Sequence, residues 1–136
     1  MKIIFICKHN RFRSKIAKAY FKKINKNKKI HITSAGIFKG TPVSKTVVDI
    51  GKEFGLRISK QTRGIREDEL VEADKIIIVA DDIPKSLFNF KRFGKKISVW
   101  KIKDTHQNDR ENIEDRVKKI MKNVDILNKE YKNNHI

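Results

Sequence analysis

An α/β fold, with one parallel four-stranded sheet carrying helices on both faces, is predicted by three features of the 136-residue chain. Two short runs, Lys2–Cys7 and residues 76–80, are almost continuously apolar, as strands covered on both faces must be. Residues 30–33 and 97–101 instead alternate apolar and polar side chains, which suits strands with one less protected face. Segments of helical spacing separate these runs, so the connections are right-handed crossovers between parallel strands. The predicted strand order is 2-1-3-4 in one three-layer domain over residues 1–136, with the two alternating strands at the edges.

Each helix has its own signal. Ile16, Tyr20 and Ile24 recur every fourth residue after the first strand. Val43, Val47, Ile50 and Phe54 repeat that spacing up to Gly55, a C-cap candidate. The longest stripe is the last, formed by Ile113, Val117, Ile120, Met121, Val124, Leu127 and Tyr131, and Asn108 with Glu111 resembles its capping box.

Composition narrows the class. The formal net charge is +17, from 33 Lys and Arg against 16 Asp and Glu, and the lysines are spread along the chain rather than gathered in a low-complexity tail. A surface so cationic attracts anionic substrates, and any nucleic-acid binding through it is expected to be nonspecific and salt-dependent. The densest basic tract, residues 22–29, closes the first helix and enters the second strand, so it belongs at the end of the sheet away from the loop after the first strand. No run reaches the roughly 20 apolar residues of a membrane span, and residues 3–6 are too short for a signal-peptide core, so a cytoplasmic protein without membrane partners is expected. The single cysteine excludes an internal disulfide framework and a cysteine metal cluster, leaving Cys7 as packing or as a reactive thiol.

The chemistry-bearing segment is Cys7-Lys8-His9-Asn10-Arg11-Phe12-Arg13-Ser14, a cysteine, five residues, an arginine and a serine, set between the first strand and the first helix. A loop curling into a helix N-terminus turns successive backbone N–H groups inward and makes an anion nest. Residues Lys8, His9, Asn10, Arg11, Phe12, Arg13 and Ser14 would line it; Arg13 would bind two phosphate oxygens with its planar fork, and Cys7 would lie beneath the phosphorus. Inward donors favour a thiolate, the attacking species, and the Ser14 hydroxyl stands ready to donate to its sulfur.

With this loop, Ser34-Ala35-Gly36 after the second strand, Gly40 and Pro42 before a helix, then Gly55, Ser59 and Arg63, Ala73-Asp74 and Asp81, the chain resembles the low-molecular-weight protein tyrosine phosphatases over nearly its whole length. That fold is shared with thiol-dependent arsenate reductases. The resemblance implies hydrolysis of a phosphotyrosine-type aryl ester, from a protein or a small molecule, through a phosphocysteine on Cys7. Arg13 would hold the developing charge, and Asp104, four residues after Trp100, would act as general acid and then base. Asp81 and Asp82 compete for that role, Asp81 having a supporting place in the family. The resemblance further implies that Asn10, Ser14 and Ser34 support the loop, that no metal or cofactor takes part, and that inorganic phosphate or sulfate binds there. The alternatives are a non-catalytic phosphate-binding or nucleic-acid-binding protein, and an arsenate reductase relying on an external thiol because Cys7 stands alone.

Six positions depart from the family pattern. His9 occupies a usual glycine, so the loop must accept a side chain there. Phe12 replaces a second cysteine, which leaves Cys7 without a disulfide refuge against overoxidation. Thr105 follows Asp104 where proline is usual, His106 and Gln107 stand in place of substrate-flanking tyrosines, and Lys60 replaces a bracing histidine. Phe38 is the remaining aromatic candidate for stacking on a substrate ring. Arg11, with Lys8, His9 and Lys15, makes the mouth cationic, favouring acidic phosphopeptides over a guanidinium-bearing phosphoarginine.

Overall fold

The first strand, β1 (Lys2–Cys7), runs through the centre of the sheet because its side chains are apolar on both faces. Ile3 and Phe5 point to one core, and Ile4, Ile6 and Cys7 to the other. A computed structural model describes residues 1–133. In it β1 pairs in parallel with β2 (His31–Gly36) on one side and β3 (Lys75–Val79) on the other, and β4 (Ile97–Trp100) adds to β3. The order β2-β1-β3-β4 is the predicted one, with the alternating strands at the edges.

Helices α1 (Arg13–Ile24), α2 (Lys45–Glu53) and α5 (Arg110–Asn133) lie over the face of Ile3 and Phe5, where Ile16, Phe21, Val47, Ile50, Ile113, Val117 and Ile120 close the larger core. The opposite face is covered more thinly, by Leu70 of α3 (Glu67–Glu72) and by Phe88 and Phe93 around α4 (Phe90–Phe93). Among the described residues no helix is long and apolar enough to cross a membrane.

Local signals account for the helix ends. Ser44 caps α2 by accepting the Val47 N–H at 3.2 Å, and Gly55 sits just past the helix with φ +76°, as a C-cap glycine does. The cap of α5 is displaced by one residue from the predicted box: Asp109, not Asn108, accepts the Asn112 N–H at 3.2 Å, and Asn108 instead accepts from Thr46. The basic tract at 22–29 lies at the predicted end of the sheet, since the N-terminal ammonium beside the start of β1 donates to the Lys29 carbonyl at 3.0 Å. Cys7, at the other end of β1, therefore opens onto the carboxyl edge of the sheet, where parallel α/β folds bind their ligands.

Candidate active site

Between the end of β1 and the start of α1 the chain has only residues 8–12 in which to turn, and Asn10 makes the turn possible. It takes a left-handed conformation, φ 55°, which asparagine tolerates better than most residues; among the described residues it is the one non-glycine with positive φ. His9 thus meets the loop geometry without a positive φ. Room for it comes from across the loop: a Cβ on Gly40 would lie 2.8 Å from the His9 Cβ and 2.6 Å from its carbonyl oxygen. Gly36 serves the same end, since a Cβ there would stand 2.7 Å from the Asn10 nitrogen.

The side chain of Asn10 is buried and fully used. Its amide donates to Ser14 Oγ at 2.9 Å and to Ser34 Oγ at 3.0 Å, while its oxygen accepts the Arg63 N–H at 3.2 Å. Because Ser14 Oγ accepts from Asn10, its own proton is left for Cys7 Sγ, 3.0 Å away. Asn10, Ser14 and Cys7 therefore form a directed relay that ends on sulfur. Arg63 braces the relay from outside, donating from Nε to the Ser34 carbonyl at 3.0 Å and gripping both carboxylate oxygens of Glu69 in a short fork-to-fork pair. That pair holds the Glu69 carboxyl below its ordinary range.

Arg13 is 2% exposed and sits among three carboxylates. Its Nη1 donates to the Ile102 carbonyl at 2.9 Å, and its fork lies against Asp82, with Nη1 and Nη2 at 3.0 and 3.3 Å from the two oxygens. Asp104 Oδ2 lies 3.8 Å from Nη2 and Asp81 Oδ1 3.9 Å from Nη1. The guanidinium thus gathers both candidate-acid segments, with Asp82 rather than Asp81 as its close partner. Asp104 Oδ1 accepts the Thr105 N–H at 2.9 Å, a bond that the proline usual at that position would not supply.

Phe12 faces away from the site. Its ring is 1% exposed in the larger core, and its carbonyl accepts the Ile16 N–H at 3.0 Å, so only its backbone borders the loop. Phe38 is 55% exposed, its ring 6.2 Å from that of His9, with its N–H on the Lys8 carbonyl at 3.0 Å. Burial, then the charges of Arg11 and Lys8, hold His9 below its ordinary value of 6.5, against the opposite pull of Asp104 and Asp82. Arg11 donates to Thr41 Oγ1 at 3.2 Å and, with Asp104, Thr105, His106, Gln107 and Asn108, bounds an open cavity of about 470 Å³. Among the described residues no group of three or more His, Cys, Asp or Glu is arranged to hold a metal ion.

Residues 2–134 match the family described as low molecular weight phosphotyrosine protein phosphatase. The chain belongs to that family. Similar solved structures include the low molecular weight protein tyrosine phosphatase from T. tengcongensis, at 25% identity and a TM-score of 0.83, covering 96% of this chain and 99% of that one. The arsenate reductase from Archaeoglobus fulgidus is 25% identical with a TM-score of 0.72, covering 93% and 98% of the two chains. The YwlE arginine phosphatase from Geobacillus stearothermophilus shares the fold at 17% identity, with a TM-score of 0.81 over 98% and 94%. No curated protein sequence matches the chain. The family and its neighbours support a cysteine-based phosphatase, whose candidate nucleophile is the only cysteine in the chain.

For a member of this phosphatase family, sequence reasoning singled out Cys7, Asn10, Arg13, Ser14, Ser34 and Asp104; the geometry joins Cys7, Asn10, Ser14 and Ser34 in one hydrogen-bonded network and sets Arg13 beside Asp104 in a second, ionic group. It missed the Glu69 partner of Arg63 and the pairing of Asp82 with Arg13. The second joins residues 69 positions apart, and no local pattern links them. The first had a faint signal, since Glu69 stands three residues after Arg66 as a capping-box acid does, and its Oε1 accepts the Arg66 N–H at 3.2 Å.

Proposed function

We propose that the chain hydrolyses phosphotyrosine-type aryl phosphate monoesters, with Cys7 as nucleophile, Arg13 as oxyanion clamp and Asp104 as general acid and base. The Cys7 thiolate attacks phosphorus, the S–P bond forms as the P–O bond to the aryl group breaks, and Asp104 gives its proton to the departing oxygen. In the second step Asp104 takes a proton from water, the water oxygen bonds to phosphorus, and sulfur leaves as thiolate. The observation that carries this reading is the Asn10–Ser14–Cys7 relay, which aims a hydroxyl proton at sulfur in the step where sulfur must accept charge. Support for Asp104 comes from its exposure, about one-third, and from its bordering both Arg13 and the open mouth.

An aryl rather than guanidinium leaving group is favoured by the cationic mouth, where Arg11 and Lys8 add positive charge and Phe38 presents an exposed ring; Lys15, expected at the mouth, lies instead in a cavity behind the loop. Arsenate reduction on the same scaffold would require an external thiol, because no second cysteine is available to receive the disulfide. The test is hydrolysis of an aryl phosphate by the wild type, Cys7→Ser and Asp104→Asn. Turnover is expected in the wild type, none in Cys7→Ser, and in Asp104→Asn a loss that deepens as the leaving group becomes more basic. A Cys7→Ser protein that still turns over would refute the nucleophile, and an Asp104→Asn protein with no leaving-group dependence would refute the acid.

A further inference from the structure

Behind the Cys7–Ser14 loop, on the side of α1, a separate cavity of about 180 Å³ opens between that helix and residues 57–59. Its polar wall is formed by Lys15, Lys18 and Lys22 of α1, by Ser34 of β2, and by Arg57 and Ser59. We propose that this cavity is a second anion site, distinct from the loop, that takes inorganic phosphate.

Three observations carry the proposal. Lys15, Lys18 and Lys22 follow one another at three- and four-residue spacing, so α1 presents all of them along one face, and Arg57 meets them from the opposite wall. Among the described residues none of these four cations has a carboxylate partner, although Lys15 is only 9% exposed. Four cations gathered around one cavity repel one another, and an anion seated between them relieves that repulsion.

The hydroxyls complete the chemistry. Ser34 Oγ accepts from Asn10 at 3.0 Å and Ser59 Oγ accepts the Gln61 N–H at 3.3 Å, so each keeps its own proton to donate. The wall therefore offers cations and O–H donors and no carboxylate, which is the donor set of an oxyanion site. The cavity is smaller than the roughly 300 Å³ at which pockets begin to suit drug-sized ligands, so a single compact oxyanion fits it better than a nucleoside or a peptide.

Occupancy would be felt at the loop. Ser34 belongs to both places, holding Asn10 on one side and lining the cavity on the other. Burial, then the charges of Lys18 and Arg63, depress the Lys15 ammonium, and Cys7 opposes that shift. Phosphate in the cavity thus gives the product of phosphomonoester hydrolysis a second place to act, apart from competition at the loop.

The test is a backbone-amide NMR titration of the full chain with inorganic phosphate at constant ionic strength. The amides of Ile58 and Ser59 are expected to saturate with a binding constant different from that read by Lys8 and His9. In K18Q/R57Q, one position half-buried and the other exposed, the Ile58 and Ser59 constant is expected to weaken by about tenfold or more, the factor carried by a hydrogen bond to a charged group. The proposal is overturned if those two amides fail to saturate, if they follow the loop amides with one shared constant, if chloride at equal ionic strength shifts them equally, or if the double variant binds as the wild type does. None of these readouts depends on turnover, so failure of the phosphatase reading and failure of the second site are separately visible.

Discussion

Replacing Asn10 by alanine removes the residue on which the loop geometry converges. Three hydrogen bonds go with the side chain, at 2.9, 3.0 and 3.2 Å, and at about 1 kcal/mol net for each they amount to roughly 3 kcal/mol. Alanine must also hold φ 55°, where an L side chain other than asparagine or aspartate costs about 1–2 kcal/mol. The expected destabilisation is therefore about 4–5 kcal/mol, a large share of the roughly 5–15 kcal/mol that holds a domain folded. Asn10→Gly loses the same hydrogen bonds but not the conformational freedom. After allowing about 0.4–1 kcal/mol for the greater entropy of unfolded glycine, it should be the milder variant by roughly 0.5–1 kcal/mol. Urea unfolding of both variants, followed by circular dichroism, measures the difference directly. Asn10→Ala within about 1 kcal/mol of the wild type, or less damaging than Asn10→Gly, would refute the role given to this residue.

Other perturbations separate the parts of the site. Ser14→Ala ends the relay before it reaches sulfur and should lower kcat by about 10- to 100-fold, from the 1.5–3 kcal/mol that a hydrogen bond to a charged group carries; a stopped-flow burst followed by slow release would place the loss in the second step. Asp82→Asn relaxes the fork that occupies Arg13, so inorganic phosphate should inhibit aryl phosphate hydrolysis more tightly, by roughly three- to tenfold, with competitive inhibition as the readout. The Arg63 fork holds the Glu69 carboxyl below its ordinary value of 4.5, so its contribution to stability is present above that value and is lost as pH falls toward the lower folded value. Glu69→Gln should accordingly be less stable than the wild type at neutral pH, and the gap should narrow in unfolding experiments well below 4.5.

The sheet was legible because its signals are local. The apolar runs of β1 and β3 mark central strands and the alternating runs mark the edges, as the observed order has them. α3 escaped notice because it is six residues long and buries none of them, and α4 is a single turn. Within the site, the Cys7-to-Ser14 spacing was readable because it belongs to one strand–loop–helix junction, whereas Ser34 was readable only through the family resemblance and lies inside β2 rather than after the second strand. The surroundings of Arg13 were not: Asp82 and the Ile102 carbonyl reach it from segments 69 and 89 residues away, and only the packed sheet brings them together. His9 shows the same limit. Its tolerance in place of glycine depends on Gly40, a residue that reads alone as an ordinary turn.

The central claim is that sulfur carries the phosphoryl group, and trapping that species tests it most directly. Asp104→Asn, mixed with an activated aryl phosphate and quenched in acid within the first turnover, should yield a phosphorylated peptide containing Cys7 by mass spectrometry, with its phosphorus resonance in the S–P range. Release of a stoichiometric burst of phenol with the label on another residue, or with no covalent phosphate at all, would contradict it.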